Sequence, residues 1–284
     1  MGPPMDRPRR IAVVLVGVAA AVPLALASAR AGGPSSAAPE RGGSLQVARA
    51  SVIEQGAGAA GRDDRPVQGA ACPDGMALVA GEWCPRVEQR CLRWMDPPGR
   101  YHRYRCAEYA HPARCLAPRE HVRFCIDRHE RTGPDGRLPL NHQSWTDAER
   151  ACEVKGARVC MDSEWTFACE GEEMRPYPYG WRREASLCNA DHTDLLVPGD
   201  HSRLVDERAP VDAHPECASP FGLVDMAGNV AEWVSVDGFS AGSYVVQKGN
   251  WWQPGKQACR DEQAGHDRFY QGTETGFRCC ADAR

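Results

Sequence analysis

The sequence predicts an α+β domain that is rich in disulfides and has little regular secondary structure. Two short segments carry helix periodicity, and the apolar runs around them are brief and separated by Gly, Pro, Asn and Asp. The 284-residue chain also contains 14 cysteines, all of them between Cys72 and Cys280. Because no Cys-x-x-Cys spacing occurs, this density indicates a disulfide framework formed in an oxidising compartment and not a zinc site.

The N-terminal residues carry the pattern of a secretory signal peptide. Three arginines within residues 7–10 precede the apolar run IAVVLVGVAAAVPLALASA, which ends in small residues of the Ala-x-Ala kind. We therefore predict a signal peptide over 1–29, cut near Ala29 or Ala31, and an exported protein, periplasmic or secreted. The alternative is an uncleaved anchor, because residues 11–29 approach the roughly 20 apolar residues that span a bilayer.

After the signal, residues 30–70 are rich in Gly, Ala, Ser and Pro and predict a flexible linker. We expect the domain over 71–284, with a Cys-rich N-terminal third at 71–125. Removal of the signal would change the formal charge from −4 to about −6. A mildly acidic chain without a Lys/Arg stripe argues against nucleic acid or an anionic membrane surface as partner, and no membrane insertion is expected once the signal is cleaved.

The first helix is predicted in SWTDAERACEVKGAR. Thr146 followed by Glu149 has the spacing of a capping box, apolar residues then recur on one face, and Gly156 supplies the stop. The helix should cover 147–155.

The second helix is predicted in MDSEWTFACEGEE. Asp162 or Ser163 can cap it, three apolar residues follow at helical spacing, and Gly171 ends it. The helix should cover 162–170. Runs such as MALVAGEW, VRFCID, VAEWVSV and SYVVQKGNWW predict short strands.

Three stretches, taken together, resemble one known family. They are SWTDAERACEVKGARVCMDSEWTFACEG, FGLVDMAGNVAEWV, and KGNWW followed by TGFRCC. In this order they are similar to the formylglycine-generating enzyme, or sulfatase-modifying factor, family over about 72–284. The resemblance implies a variation of the C-type-lectin-like fold. For a working member it also implies oxidation of a cysteine in a peptide, by oxygen and a copper(I) ion held between two thiolates.

The stretch DMAGNVAEW is the most specific part, and the resemblance implies a structural calcium there. Carried over, the ligands are Asn229, the carbonyl oxygen of Val230, and Glu232, with Gly228 permitting the tight turn. A second family calcium would use Asn189. The alternative is that Asn229 and Glu232 only satisfy backbone groups of the turn.

The resemblance also implies two core disulfides, Cys152 with Cys279 and Cys169 with Cys259. Each would close a long loop, for which the chain-entropy model gives roughly 4 to 5 kcal/mol. The pairing of the ten other cysteines is open in the sequence. We expect most of them to cross-link the Cys-rich third, 71–125.

The loop GNWWQPGKQAC stands where the family keeps its copper thiols. Those positions fall within Gln253 to Ala258, where this sequence has no cysteine. Soft thiolates are what select Cu(I), so we assign no catalytic residue and do not expect copper or iron as a cofactor. Adjacent Cys279 and Cys280 suggest a redox role, but Cys279 is already assigned to a disulfide.

These observations predict an exported binding or maturation module for a peptide or protein, with Trp233, Trp251 and Trp252 as a possible apolar groove. Two alternatives stay open: a metal-dependent oxidoreductase of altered chemistry in the same family, and a calcium-dependent lectin-like protein. The basic and aromatic segment RWMDPPGRYHRYR is interpreted as a disulfide-held surface loop with solvated arginines, the alternative being a loop that faces a ligand.

Overall fold

A computed structural model describes residues 71–284. The predicted signal peptide, 1–29, and the linker, 30–70, lie outside the described residues. The strands are β1 Met76–Trp83, β2 Val87–Glu88, β3 Cys91–Trp94, β4 Cys106–Tyr109, β5 Arg114–Cys115, β6 Glu120–Asp127, β7 Arg158–Val159, β8 Leu196–Val197, β9 Asp200–Leu204, β10 Ala231–Ser235, β11 Val245–Lys248, β12 Thr275–Gly276 and β13 Cys279–Asp282; the helices are α1 Trp145–Glu153 and α2 Asp162–Glu170, with a 3₁₀ turn at Ala185–Leu187. The predicted α+β class with short elements is confirmed.

The largest sheet joins the start and the end of the described chain. Its order is β1-β6-β13-β7, with every neighbouring pair antiparallel. β1 and β6 pair along their whole length, from Met76 opposite Asp127 to Trp83 opposite Glu120. In β13, Cys280 lies opposite Ile126. The alternating apolar residues of β6 therefore face the core from the middle of the sheet.

The second sheet has the order β11-β10-β12 and carries the most specific sequence motif. Every residue of β10 and of β11 is buried. β10 pairs with β11 antiparallel, so that Glu232 lies opposite Lys248 and Trp233 opposite Gln247. A strand covered on both faces reads as a continuous buried run, which is why VAEWV shows no alternation.

Helix α1 begins two residues before the predicted start. Its N-cap is Ser144, whose hydroxyl accepts a hydrogen bond from the backbone N–H of Asp147, while the Asp147 carboxylate accepts from the Ser144 N–H. The predicted capping box of Thr146 and Glu149 was therefore wrong. The sequence contains two overlapping caps, and the earlier one lets Trp145 enter the core at the first helical position.

Helix α2 has the predicted bounds. Its N-cap is Met161 and neither of the two residues proposed, and the Glu164 carboxylate accepts a hydrogen bond from the Met161 N–H. Gly171 ends the helix with φ of 65°. The helix is buried over most of its surface because it lies between the two sheets' apolar faces, with Trp165 and Phe167 in the same cluster as Ile126 and Val246.

Seven disulfides pair all fourteen cysteines. The two pairs implied by the family resemblance, Cys152–Cys279 and Cys169–Cys259, are both present. Three pairs cross-link the Cys-rich third, and two lie elsewhere; the five are Cys72–Cys125, Cys84–Cys115, Cys91–Cys106, Cys160–Cys280 and Cys188–Cys217. The adjacent residues Cys279 and Cys280 thus belong to different disulfides, which tie β13 to helix α1 and, through Cys160, to the connection between β7 and α2.

Within residues 71–284 no helix has the length and apolarity needed to cross a membrane.

Candidate functional site

The loop that follows β11 forms one wall of a surface cleft. It begins with a sharp turn in which Gly249 has φ of 77° and Asn250 has φ of 58°. The Gly249 carbonyl accepts a hydrogen bond from the Gly228 N–H at 2.9 Å. A Cβ at Gly249 would lie 3.3 Å from the ring of Trp165. The loop therefore leaves the sheet by bending tightly over the core, and glycine is what permits the close approach.

The three tryptophans predicted to form a groove are all buried. Trp251 and Trp252 pack edge to face, with ring centroids 5.0 Å apart, in a cluster with Val230 and Ala231. The indole N–H of Trp233 donates to the Gln143 carbonyl at 2.8 Å. Large aromatic side chains beside a two-sided strand are covered by the core, so the predicted apolar groove is not formed by these residues.

The cleft is lined by four carboxamide side chains together with the charged residues Lys256, Asp261 and Glu262. It has a volume of about 380 Å³, and its walls include Gln247, Asn250, Gln253 and Gln263. Both amide atoms of buried Gln247, and the amide nitrogen of Asn250, have no hydrogen-bond partner among the described residues. Buried polar groups normally have hydrogen-bond partners, so these three atoms are candidates for hydrogen bonds with a polar ligand.

A narrower recess of about 130 Å³ adjoins the cleft. The two cavities share Tyr104, Lys256 and Asp261 in their walls. The recess also has Tyr109 and Tyr177 in its wall, and burial raises the pKa of Tyr177 to about 12. Because they share Tyr104, Lys256 and Asp261, the cleft and the recess form one groove. Part of the segment RWMDPPGRYHRYR, interpreted from the sequence as a surface loop with solvated arginines, lies in its wall, and Arg105 of this segment is paired with Asp96.

The predicted calcium residues are placed at a turn before β10. Gly228 and Asn229 have φ of 95° and 58°, as the tight turn requires, and a Cβ at Gly228 would clash with the Asn189 carbonyl. The Asn229 side-chain oxygen accepts from the Asn189 amide and from the Ala209 N–H, each at 2.9 Å. The structure therefore brings Asn189 and Asn229, assigned to two different calcium ions, into direct contact.

Glu130 completes this turn and was missed in the sequence. Its carboxylate accepts hydrogen bonds from the Asn229 amide at 2.5 Å and from the Val230 N–H at 3.0 Å. Burial, with Asp225 and Glu232 nearby, raises the pKa of Glu130 well above its ordinary value. No sequence signal near Glu130 indicates this role, because it lies a hundred residues from the turn.

Glu232 is held by an arginine. Arg278 donates to both carboxylate oxygens of Glu232 at 2.6 Å, and the Trp165 indole donates at 2.7 Å. Arg278 is fully buried and belongs to the motif TGFRCC. The two motifs that the sequence singled out thus meet as an ion pair in the core.

Asp225 is the unpartnered acid of this region. It is 1% exposed, has φ of 60°, and neither carboxylate oxygen has a hydrogen-bond partner among the described residues. Burial raises its pKa to about 7, while Arg278 acts in the opposite direction. With Glu130 and Glu232, the cluster has three carboxyl groups around one guanidinium. Within residues 71–284 no group of three or more His, Cys, Asp or Glu side chains is arranged to hold a metal ion.

Comparison with known protein families assigns the chain to a family. A family model described as a sulfatase-modifying factor enzyme 1-like domain matches residues 99–283. The chain belongs to this family. The stretches FGLVDMAGNVAEWV and TGFRCC, and the loop after β11, lie inside the matched range.

The similar proteins include one named as an inactive enzyme and one named as an enzyme without that qualification. The inactive C-alpha-formylglycine-generating enzyme 2 of Mus musculus is 30% identical over 159 residues, covering 51% of this chain and 50% of its own. The formylglycine-generating enzyme of Mus musculus is 28% identical over 178 residues, covering 53% of this chain and 47% of its own. The chain spans about half the length of these relatives. Among solved structures, CarF aligns over 74% of this chain and 98% of its own, with 17% identity and a TM-score of 0.48.

For a member of the sulfatase-modifying factor family, the bonding state of the cysteines near the cleft decides whether a thiol is available there. The one cysteine in the loop after β11, Cys259, is bonded to Cys169. No cysteine of the chain is free. The positions Gln253 to Ala258, where the family thiols would fall, contribute Gln253, Gly255 and Lys256 to the cleft wall. This wall can donate and accept hydrogen bonds, but it has no thiolate to offer a soft metal ion.

Proposed function

We propose that this protein is an exported module of the sulfatase-modifying factor family that binds a peptide segment, acting in recognition or maturation and not in formylglycine generation. The observation that carries the proposal is that amide and lysine side chains, and no free thiol, line the cleft beside the loop after β11. Because all fourteen cysteines are in disulfides, the chain has no pair of thiols with which to hold copper(I).

The chemistry of the cleft supports a peptide as the ligand. A peptide unit presents an N–H donor and a C=O acceptor, and a primary amide offers the matching acceptor and donor. Within residues 71–284, neither amide atom of Gln247 has a hydrogen-bond partner, and Gln253 and Gln263 line the same cleft. Main-chain hydrogen bonding would supply affinity with little dependence on sequence.

Export is supported by the disulfides. Seven cross-links in one domain form and persist in an oxidising compartment, such as the periplasm or the extracellular space. We place the protein there. A cytosolic location would leave the cysteines reduced and would remove the cross-links of the Cys-rich third.

We also propose a structural calcium at the turn before β10, with a changed ligand set. The side-chain oxygens of Asn229 and Glu232 already accept hydrogen bonds from protein donors, so they fit poorly as primary ligands. The carboxylate of Asp225, which has no hydrogen-bond partner among residues 71–284, is an oxygen donor of the kind that calcium prefers. The ion would neutralise the buried negative charge around Arg278.

The calcium proposal predicts a shift in melting temperature. Calcium should raise the Tm of the chelator-treated protein, and the Asp225→Asn variant should lose that response while remaining folded. Glu216→Gln, an exposed acid outside the turn, is the matched control. An unchanged Tm for the wild-type protein on calcium addition would overturn the assignment.

The main proposal is tested on the oxidised, exported protein. A copper(I) titration against a chromogenic chelator should show no stoichiometric tight binding, and immobilised protein should retain peptides from a randomised pool. Gln253→Ala, in the cleft, should weaken retention about tenfold, whereas exposed Gln271→Ala, outside it, should not. Tight binding of one copper per chain, or oxygen uptake with a cysteine peptide, would overturn the proposal in favour of oxidase chemistry.

A further inference from the structure

The outer wall of the groove is a loop with an unusual charge. Residues 95–105, between β3 and β4, read MDPPGRYHRYR, with three arginines and one acidic residue. The disulfide Cys91–Cys106 closes the hairpin from which the loop projects. The loop therefore presents basic and aromatic side chains from a cross-linked base.

An internal clasp fixes the shape of this loop. The Asp96 carboxylate accepts from the Arg105 backbone N–H at 2.9 Å and from the Arg105 guanidinium at 2.7 and 3.0 Å. The hydrogen bond from Arg105 lowers the pKa of Asp96 below its ordinary value. The Met95 N–H donates to the Arg105 carbonyl at 2.9 Å, which closes the same ring of contacts. The loop is thus ordered before any ligand binds, so its basic groups are preorganised.

The loop meets the family loop across the groove. Tyr104 lies in the wall of both the cleft and the recess, and the Lys256 ammonium stands 5.5 Å from its ring centroid. This cation–π contact joins the chain's own basic segment to the wall that replaces the family thiols.

The charges of the recess do not cancel. Its wall contains four cations, Arg103, Arg105, Arg183 and Lys256, and one acid, Asp261. Arg105 is neutralised by Asp96, and Arg183 by Asp191 at 2.6 Å. Lys256 stands 3.9 Å from Asp261, a long ion pair, which leaves the positive charge of Arg103 without a counterpart in the recess.

We propose that the recess binds a carboxylate group of the peptide ligand, so that the groove selects acidic peptides. This inference rests on the proposed function and adds the ligand's charge to it. Arg103 and Lys256 would contact the carboxylate, while the carboxamides of the adjoining cleft bind main-chain groups. A volume of about 130 Å³ holds roughly four water-sized groups, which suits a carboxylate with a short aliphatic stem.

The carboxylate can come from an Asp or Glu side chain or from the C-terminus of the peptide. Two randomised peptide pools, one with free and one with amidated C-termini, distinguish these sources. Each pool is passed over the immobilised oxidised protein, and the retained peptides are sequenced. Enrichment of acidic residues in both pools identifies a side-chain carboxylate, whereas retention of the free-acid pool alone identifies the terminus.

The double variant Arg103→Gln/Lys256→Gln should lose this preference. We expect affinity for acidic peptides to fall about tenfold and affinity for neutral peptides to change less than twofold, because only the charged contacts are removed. Arg100→Gln, in the same loop but outside the recess, is the matched control and should behave as the wild-type protein. The acidic preference should also weaken as salt is added.

The outcomes separate the two proposals. Equal retention of the free and the amidated pool without acidic enrichment, or a preference unchanged in the double variant, overturns the carboxylate subsite and leaves peptide binding standing. Retention of no peptide from either pool overturns both. An unchanged Tm of the double variant shows that a lost preference does not reflect misfolding.

Discussion

Two buried polar regions on one sheet differ in how far their hydrogen bonds are satisfied. Around Glu232 on β10, both carboxylate oxygens accept from buried donors. Around Gln247 on the neighbouring strand β11, both amide atoms are unpartnered among the described residues. The two strands pair directly, so neither burial nor sheet position separates the regions. The regions differ in whether their polar atoms have hydrogen-bond partners. A buried network with all its hydrogen bonds made stabilises the fold, whereas buried polar atoms without partners at a cavity wall indicate ligand binding.

The largest effect should follow from breaking the satisfied region. Arg278→Met leaves the Glu232 carboxylate buried without its guanidinium, and removing one partner of a buried pair costs about 3 to 5 kcal/mol. Urea unfolding with the disulfides intact measures the loss. Arg150→Ala, which removes an exposed ion pair with Asp147 on helix α1, is the control and should cost less than about 0.5 kcal/mol. Equal losses in the two variants would contradict the role given to Arg278.

An intermediate effect is expected from Glu170, which connects the core to the Cys-rich third. Its fully buried carboxylate accepts from Arg260 at 2.5 and 2.7 Å, and Arg260 also donates to the Cys84 carbonyl. Burial raises the pKa of Glu170 from its ordinary value of 4.5 to about 7, against the opposing effect of Arg260.

This shift sets the sign of a pH dependence. Between pH 4.5 and about 7 the folded state keeps the Glu170 proton that the unfolded state has released, so the free energy of unfolding should fall as pH rises through that window. The Glu170→Gln variant, which cannot titrate, should show a flatter profile over the same window. Urea unfolding at several pH values makes the measurement, and identical profiles for the two proteins would refute the assignment.

The smallest effect on stability, and the most informative, should come from Gln247→Leu. An apolar side chain removes buried polar atoms that have no partner among residues 71–284, so the free energy of unfolding should stay the same or rise by about 1 kcal/mol. Peptide retention should nevertheless fall about tenfold. A variant that is destabilised by more than about 1 kcal/mol would show that Gln247 belongs with the structural region and not with the groove.

The sequence was informative wherever local patterns decide the outcome. Helix α2 has the bounds that its spacing and Gly171 predict. The turn at Gly228 and Asn229 has the positive φ that its residues permit. Helix α1 shows the limit, because two overlapping capping boxes are locally equivalent and only the burial of Trp145 selects the earlier one.

By itself, the sequence determined the family, the α+β class and the lack of a cysteine within Gln253 to Ala258, because each of these follows from residue identity and order. Only the tertiary structure decided which groups have partners. Glu130 reaches the turn from a hundred residues away, and Arg278 reaches Glu232 from forty-six. It also placed the tryptophans in the core and the loop 95–105 at the groove. Contacts of this kind depend on how distant segments pack, and no local pattern encodes them.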